Sequence, residues 1–422
     1  MWQFFISIAL VCSLGVAKAQ SFSLPTSEGE EVSVHVYPAT FADEDKPLLI
    51  WFTEGYAERS SFKKVLTQFN DAGYEVWQAD LLDSYFIQRS PSNVRKLSGE
   101  GVAAVLQHAQ LQKRKFIPVS TGRMSLVLLR GARLWQLAQP HEALKAGIGH
   151  LQQVVLYFPN LYDAPEKAGD APRLFPVVEA TSLPLTIVQP TEGTYRWKVR
   201  ELLAALERQE SQVTLVSVPN ARDWYFLRRQ PTPAEQQAAK DLADGLVLWQ
   251  AANQAENGRY FRPAANIEEA VVTERIKGLV ELSARAATDF VLQDISGASI
   301  QLHEKQGKVV LLNFWASWCP PCVKEIPSMN RLAQSFDKNH FEIVSVNFKE
   351  SPQTIRDFLQ QVQVDFPVLI DQDGVVSASY EIFSFPSSFL IDAQGQLRYS
   401  VNAAIEWDDD EIKKVIEQLI QE

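Results

Sequence analysis

The sequence predicts an α/β protein built as two domains, and three observations carry that reading. Short β-branched runs alternate with amphipathic stretches from about residue 30 to 256, the pattern of a parallel sheet with crossover helices. The pattern restarts near residue 286 around a second buried run, Val309-Val310-Leu311-Leu312-Asn313-Phe314. Length agrees: 422 residues at about 150 per domain allow two or three, and 46% hydrophobic residues fill their cores. With 51 acids against 40 bases the net charge is −11, which disfavours nucleic acid as a partner because phosphate binding needs a basic face. Only 19 Gly, 22 Pro and 3 Cys exclude collagen, disorder and a disulfide-stapled mini-fold.

Residues Trp2 to Ala17 are almost wholly apolar, and Ala17-Lys18-Ala19 offers small residues at a cleavage site. Residues 1–19 therefore read as a secretory signal peptide, although no Lys or Arg precedes the apolar run. An uncleaved membrane anchor is the competing reading, and the run falls short of the usual ~20 residues. Val11 before Cys12 is unlike the small residue that precedes an acylated cysteine. The mature chain is then exported, to a periplasm or a similar oxidising space, with two cysteines only.

In the first domain, residues 20–256, Val32, Val34 and Val36 alternate along a first strand. Leu48 to Phe52 is a buried strand, Phe62 to Phe69 a helix closed by Gly73, and Tyr74 to Gln78 the next strand. Phe116 to Val119 runs into Ser120-Thr121-Gly122, and a helix follows to about Leu137. Val154 to Phe158, Leu185 to Val188 and Val213 to Val218 complete the sheet, and Pro233 to Asn253 reads as a long closing helix. Residues 257–285, with Glu268, Glu269, Glu274 and Glu281, suit a solvated linker.

This element order resembles the α/β-hydrolase fold. Pro118-Val119-Ser120-Thr121-Gly122 is similar to the nucleophile elbow G-x-S-x-G with its first Gly replaced. The resemblance implies Ser120 as nucleophile, an acid after Leu185 to Val188, met by Glu192, and a His after the last strand. That His is missing, since none occurs between His150 and His303, and Asp223 stands near its place. His141 and His150 precede the acid strand, where family order gives them no route to Ser120. Without a base a serine is a weak nucleophile. Ser120 accordingly reads as vestigial and the domain as a degenerate docking or specificity module. The alternative is a serine esterase with an appended redox domain.

In the second domain, residues 286–422, the central run leads into Trp318-Cys319-Pro320-Pro321-Cys322 and a helix through Phe336. Phe341 to Phe348 is a strand and Ser351 to Val362 a helix, with further strands at Val368 to Ile370, Ser388 to Ile391 and Leu397 to Val401. A last helix, Asp408 to Ile420, sets Ile412, Val415, Ile416, Leu419 and Ile420 on one face. Cys319 lies between strand and helix start, where free amides and the helix dipole favour a thiolate. Cys322, one turn on, is placed to attack a mixed disulfide. A zinc site and a purely structural disulfide compete for the same pair. Zinc needs further ligands, and only His303 and His340 lie in this region.

The residues Asp289-Phe290, Gly307-Lys308, Asn313-Phe314-Trp315-Ala316, the Trp318 to Cys322 motif, Glu325, Pro327, Phe385-Pro386 and Phe389-Leu390-Ile391-Asp392 carry a resemblance. They are similar to the TlpA/ResA group of exported thiol–disulfide oxidoreductases, of thioredoxin-like fold. The resemblance implies Cys319 as attacking thiol, Cys322 as resolving thiol and Pro386 as a cis-proline facing them. Glu325, three residues past Cys322, can tune the thiols by holding or taking a proton. Asn313 stands where thioredoxins proper carry a buried Asp, which strengthens that role; a solvated helix glutamate is the alternative. The expected reaction is reduction or isomerisation of protein disulfides, with a membrane electron donor as partner and no cofactor or metal.

Overall fold

Strands of the first unit form one eight-stranded sheet, six of whose members run parallel. The coordinates are a computed structural model, and they describe residues 20–422 apart from 42, 44, 140–149, 164, 166, 247, 248, 250–266 and 268–277. The expected signal peptide, His141 and most of the expected linker lie outside the described residues. Two units divide the chain: residues 1–161 with 174–272, and residues 162–173 with 273–422.

In the first unit the strands are β1 (Gln20–Pro25), β2 (Glu31–Tyr37), β3 (Leu48–Thr53), β4 (Val76–Asp80), β5 (Phe116–Thr121), β6 (Val154–Tyr157), β7 (Pro184–Pro190) and β8 (Gln212–Val218). Their order is β1-β2-β4-β3-β5-β6-β7-β8, with β1 and β2 antiparallel to each other and β2 antiparallel to β4. Every residue of β3, β4, β5, β6 and β7 is buried, because helices cover both faces and leave no polar side to alternate with. Helix α1 (Ser60–Asp71) buries Phe62, Val65, Leu66 and Phe69, a stripe at i, i+3, i+4 and i+7. Helices α2 (Glu100–Leu111), α3 (Met124–Leu137) and α4 (Val199–Arg208) follow. The closing helix is shorter than its periodicity suggests: α5 spans Pro233–Lys240 and a turn at Asp241 interrupts it. The core under β3 is aromatic, with Trp51 stacked on Tyr157 and edge-on to Phe62 and Phe226.

The second unit has a six-stranded sheet. Its strands are β9 (Val280–Ala286), β10 (Val309–Trp315), β11 (Phe341–Phe348), β12 (Val368–Asp371), β13 (Ser387–Ile391) and β14 (Gln396–Val401). The order is β9-β14-β13-β10-β11-β12, with β10 parallel to β11 and antiparallel to β13. This is the thioredoxin-like arrangement that the sequence implied. Strand β9 starts inside the segment read as linker and ends one residue past it; its outward Glu and Arg residues look solvated because it is an edge strand. Helices α6 (Pro320–Ser335), α7 (Pro352–Leu359), α8 (Val375–Ser379) and α9 (Asp410–Gln421), with a short hairpin of Val291–Gln293 and Ser299–Gln301, pack around the sheet. Alternation along β10 feeds two cores: Val310, Leu312 and Phe314 pack with Phe389 and Tyr380, while Val309 and Leu311 pack with Met329, Trp407 and Ile416. Residues 162–173 belong to this unit, with Ala168 buried in its core and Asn402 Nδ2 donating to the Pro165 carbonyl at 2.9 Å.

Candidate active site

Strand β10 ends at Trp315, and four residues later Cys319 caps α6 with its Sγ accepting the Cys322 N–H at 3.3 Å. Pro320 and Pro321 fill the first turn, where no amide donor is required. Cys319 and Cys322 form a disulfide and are 4% and 1% exposed. A sulfur at this position meets the Cys322 N–H and the positive dipole end of a helix, which favour its thiolate on reduction. Among the described residues no group of three or more His, Cys, Asp or Glu is placed to hold a metal ion.

The turn before Cys319 is tied down by a residue that sequence reading did not single out. Glu350, just past β11, accepts the Ser317 N–H and the Asn347 amide on one oxygen, at 2.7 and 2.8 Å. Its other oxygen accepts the Ser317 hydroxyl at 2.6 Å. No periodicity in the sequence points to it: the contact follows from the parallel register, in which Trp315 lies beside Asn347 and the residues just past each strand end meet.

Glu325 lies one turn past Cys322 on α6, but it is 2% exposed and so differs from a solvated helix glutamate. Asn313 Nδ2, from β10, donates to its Oε1 at 3.0 Å, and Trp407 Nε1 donates to its Oε2 at 3.2 Å. Burial pushes the carboxyl up to about 8, against the opposing pull of the Trp407, Asn313 and Ile405 hydrogen bonds. The same Asn313 amide reaches Ser388 Oγ at 2.9 Å, linking the acid to β13. Asn313 thus serves the carboxylate that lies one helix turn beyond the disulfide.

The Phe385–Pro386 bond is cis and Pro386 is buried. Phe385 packs against Trp318 and Phe348, with ring centroids 5.7 and 4.9 Å apart, and belongs to the apolar cluster that contains both cysteines. Ser387 Oγ donates to the Ser384 carbonyl at 2.7 Å and to Asn402 Oδ1 at 3.0 Å, which fastens the turn around the proline.

In the first unit the turn after β5 differs from the expected elbow. Ser120 is fully buried within β5 and its hydroxyl donates to Ser125 Oγ at 3.1 Å. The residue with left-handed backbone at the strand-to-helix turn is Gly122, φ +53°, which carries no side chain. A Cβ there would meet the Trp224 indole at 3.1 Å and the Glu54 carboxyl at 3.5 Å, so that place is already filled. The other expected members have partners other than Ser120. Half-exposed Glu192 is 3.9 Å from Arg196, and Asp223 Oδ2 accepts the Thr194 N–H at 2.8 Å. Burial raises the Asp223 carboxyl above its ordinary range.

Residues 284–400 match the AhpC/TSA family model. The chain is 38% identical over 113 residues to thiol-disulfide oxidoreductase ResA of Bacillus thuringiensis subsp. konkukian, covering 27% of this chain and 65% of that protein. It is 35% identical over 133 residues to ResA of Geobacillus thermodenitrificans, covering 32% of this chain and 75% of the relative. The chain therefore spans about two thirds of the length of these relatives, and they match less than a third of it. Among solved structures, a putative thiol:disulfide interchange protein DsbE from Chlorobium tepidum aligns at 32% identity, over 32% of this chain and 96% of that one, with TM-score 0.31. StoA from Bacillus subtilis aligns at 26% identity, over 32% and 97%, with TM-score 0.28.

Proposed function

Because the chain belongs, through its second unit, to the family of the ResA thiol–disulfide oxidoreductases, we propose that it exchanges disulfides with exported protein clients through Cys319 and Cys322. One observation carries the reading: a disulfide at the start of a helix with a buried, ionisable carboxyl one turn away. In the reducing direction the Cys319 thiolate attacks a client disulfide, one client sulfur leaves as a thiolate, and a mixed disulfide forms. Cys322 then loses its proton to Glu325 and attacks Cys319 Sγ, which frees the second client sulfur. Two electrons have passed to the client, and a membrane electron donor, as the family resemblance implies, returns two electrons to the protein pair. Pro386 and Phe385 wall the disulfide and offer the client a place to lie.

For the first unit we propose a docking or specificity role on a degenerate hydrolase-like scaffold. Its strand order and the turn at Gly122 support the likeness, and the missing side chain at that turn argues against hydrolysis. Tethering a client near Cys319 raises its effective concentration there without any new contact at the sulfur. Deleting residues 20–161 and 174–256 is then expected to leave exchange with small disulfides intact while slowing it with the protein client.

The deciding experiment is reduction of insulin disulfides with an added dithiol. Cys319→Ser is expected to abolish it; full activity in that variant overturns the assignment. Trapping with Cys322→Ala and identifying the covalently held protein names the client.

A further inference from the structure

The loop between β14 and α9 touches the redox site at two places. At its start, Asn402 Oδ1 accepts the hydroxyls of Ser384 and Ser387, at 2.5 and 3.0 Å, on either side of the Phe385–Pro386 bond. Five residues later, Trp407 is wholly buried, its indole N–H on Glu325 and its backbone N–H on Ser328 Oγ at 3.0 Å. The loop is pinned outside by Asp408, which takes Arg331 of α6 through both carboxylate oxygens at 2.5 and 3.0 Å. One short loop thus holds both the turn around Pro386 and the acid one helix turn past Cys322.

We infer that Trp407 is a positioning residue for the exchange reaction: its indole N–H holds the Glu325 carboxylate in place and keeps it able to ionise beneath the dithiol. The inference rests on the proposed proton role of Glu325. The hydrogen-bond partners of that carboxyl are all donors: the Asn313 amide, the Trp407 indole and the Ile405 backbone. Donors favour the charged form, which burial alone opposes. The titratable groups near it are Cys322 and Cys319 on its own helix. Strands β10 and β13 present only neutral Asn313 and Ser388, and the charged loop residues Glu406 and Asp408 engage Arg331 at the surface. Removing the indole donor therefore makes the carboxylate harder to form, and a protonated Glu325 cannot take the Cys322 proton.

The test compares the intact protein with Trp407→Phe, Ser328→Ala and Glu325→Gln. In the oxidised protein, where no thiol titrates, the Glu325 carboxyl is followed by carbon NMR. Trp407→Phe is expected to move that titration up by about one pH unit, the scale of losing one hydrogen bond to a charged group. In exchange assays the alkaline-going rise of the rate then shifts up equally, giving about tenfold slower exchange below the inflection and recovery above it. Ser328→Ala, which frees the Trp407 backbone without emptying the core, is expected to shift both readouts the same way by less. An unmoved carboxyl titration in both variants overturns the inference, as does a loss of rate that is equal at every pH. If instead the profile of Glu325→Gln overlays that of the wild type, the proton role of Glu325 itself fails, whatever Trp407→Phe does to the titration.

Discussion

Ser317 gives both its backbone N–H and its hydroxyl to the two oxygens of Glu350, at 2.7 and 2.6 Å, so one carboxylate fixes the turn two residues before Cys319. The contact joins the ends of adjacent parallel strands, where the chain leaves the ladder and its amides need other acceptors. Asn347 supplies a third donor to the same group. Glu350→Ala is expected to free the Ser317 N–H and let the cysteine turn wander. Exchange should slow about tenfold, roughly 1.4 kcal/mol in the barrier, with fold stability reduced by about 1–3 kcal/mol for the buried groups left unpaired. Stopped-flow rates and denaturant melts measure both, and unchanged rates would show that the turn holds itself.

Glu325 makes a prediction about stability as well as rate. Its carboxyl is raised to about 8 in the folded protein by burial, so the folded state holds that proton where the unfolded chain has released it. The contribution is fully present below the ordinary range near 4.5 and is lost as pH rises through about 8. The oxidised protein should therefore lose stability between those values, by a few kcal/mol at about 1.4 kcal/mol per pH decade. Glu325→Gln should flatten that slope. Melts at pH 5 and pH 8 decide it, and equal slopes in the two proteins would show that the group stays ionised throughout.

The loop after β8 is anchored in the opposite sense. Glu235 is wholly buried at the N-terminus of α5, where burial alone would raise it. Arg222 overcomes that with Nε and a terminal nitrogen at 2.8 and 2.9 Å, and the Thr232 N–H joins at 2.9 Å, holding the carboxyl down near 2. Its contribution is present above about 4.5 and lost as pH falls through about 2. Glu235→Gln is expected to cost the first unit about 3 kcal/mol at neutral pH, because the buried charge-assisted bonds between Arg222 and Glu235 are lost. It should also remove part of the acid sensitivity. Chemical denaturation at pH 7 and pH 3 reads both effects.

Ser120 is expected to be inert. A hydroxyl closed inside a strand and donating to Ser125 has neither access nor a base. A fluorophosphonate probe should leave the first unit unlabelled, and Ser120→Ala should change no ester turnover. Labelling at Ser120, lost in the alanine variant, would make the chain a bifunctional enzyme.

Much of the architecture was legible from residue order because it rests on local periodicity. The unbroken apolar run of β10, the stripe of α1 and the Cys-Pro-Pro-Cys spacing each report a local geometry that few contacts can change. Strand β1 escaped because an exposed edge strand buries too little to show a pattern, with Phe22 and Leu24 its only large apolar residues. Strand β9 was read as linker for the same reason.

Residue order alone set out the chemistry: two cysteines at the start of a helix, an acid one turn on, and a proline just before strand β13. Tertiary structure alone decided how that chemistry is held. Trp407 meets Glu325 across 82 positions and Glu350 meets Ser317 across 33, distances over which no periodicity carries information. The turn in the first unit teaches the same lesson. A Ser-x-Gly spelling could not tell which residue occupies the left-handed position, because a slip of two along β5 preserves its face while moving a side chain from the turn into the sheet. Register is fixed by the whole sheet, and with it whether a hydroxyl is a nucleophile or a buried strand residue.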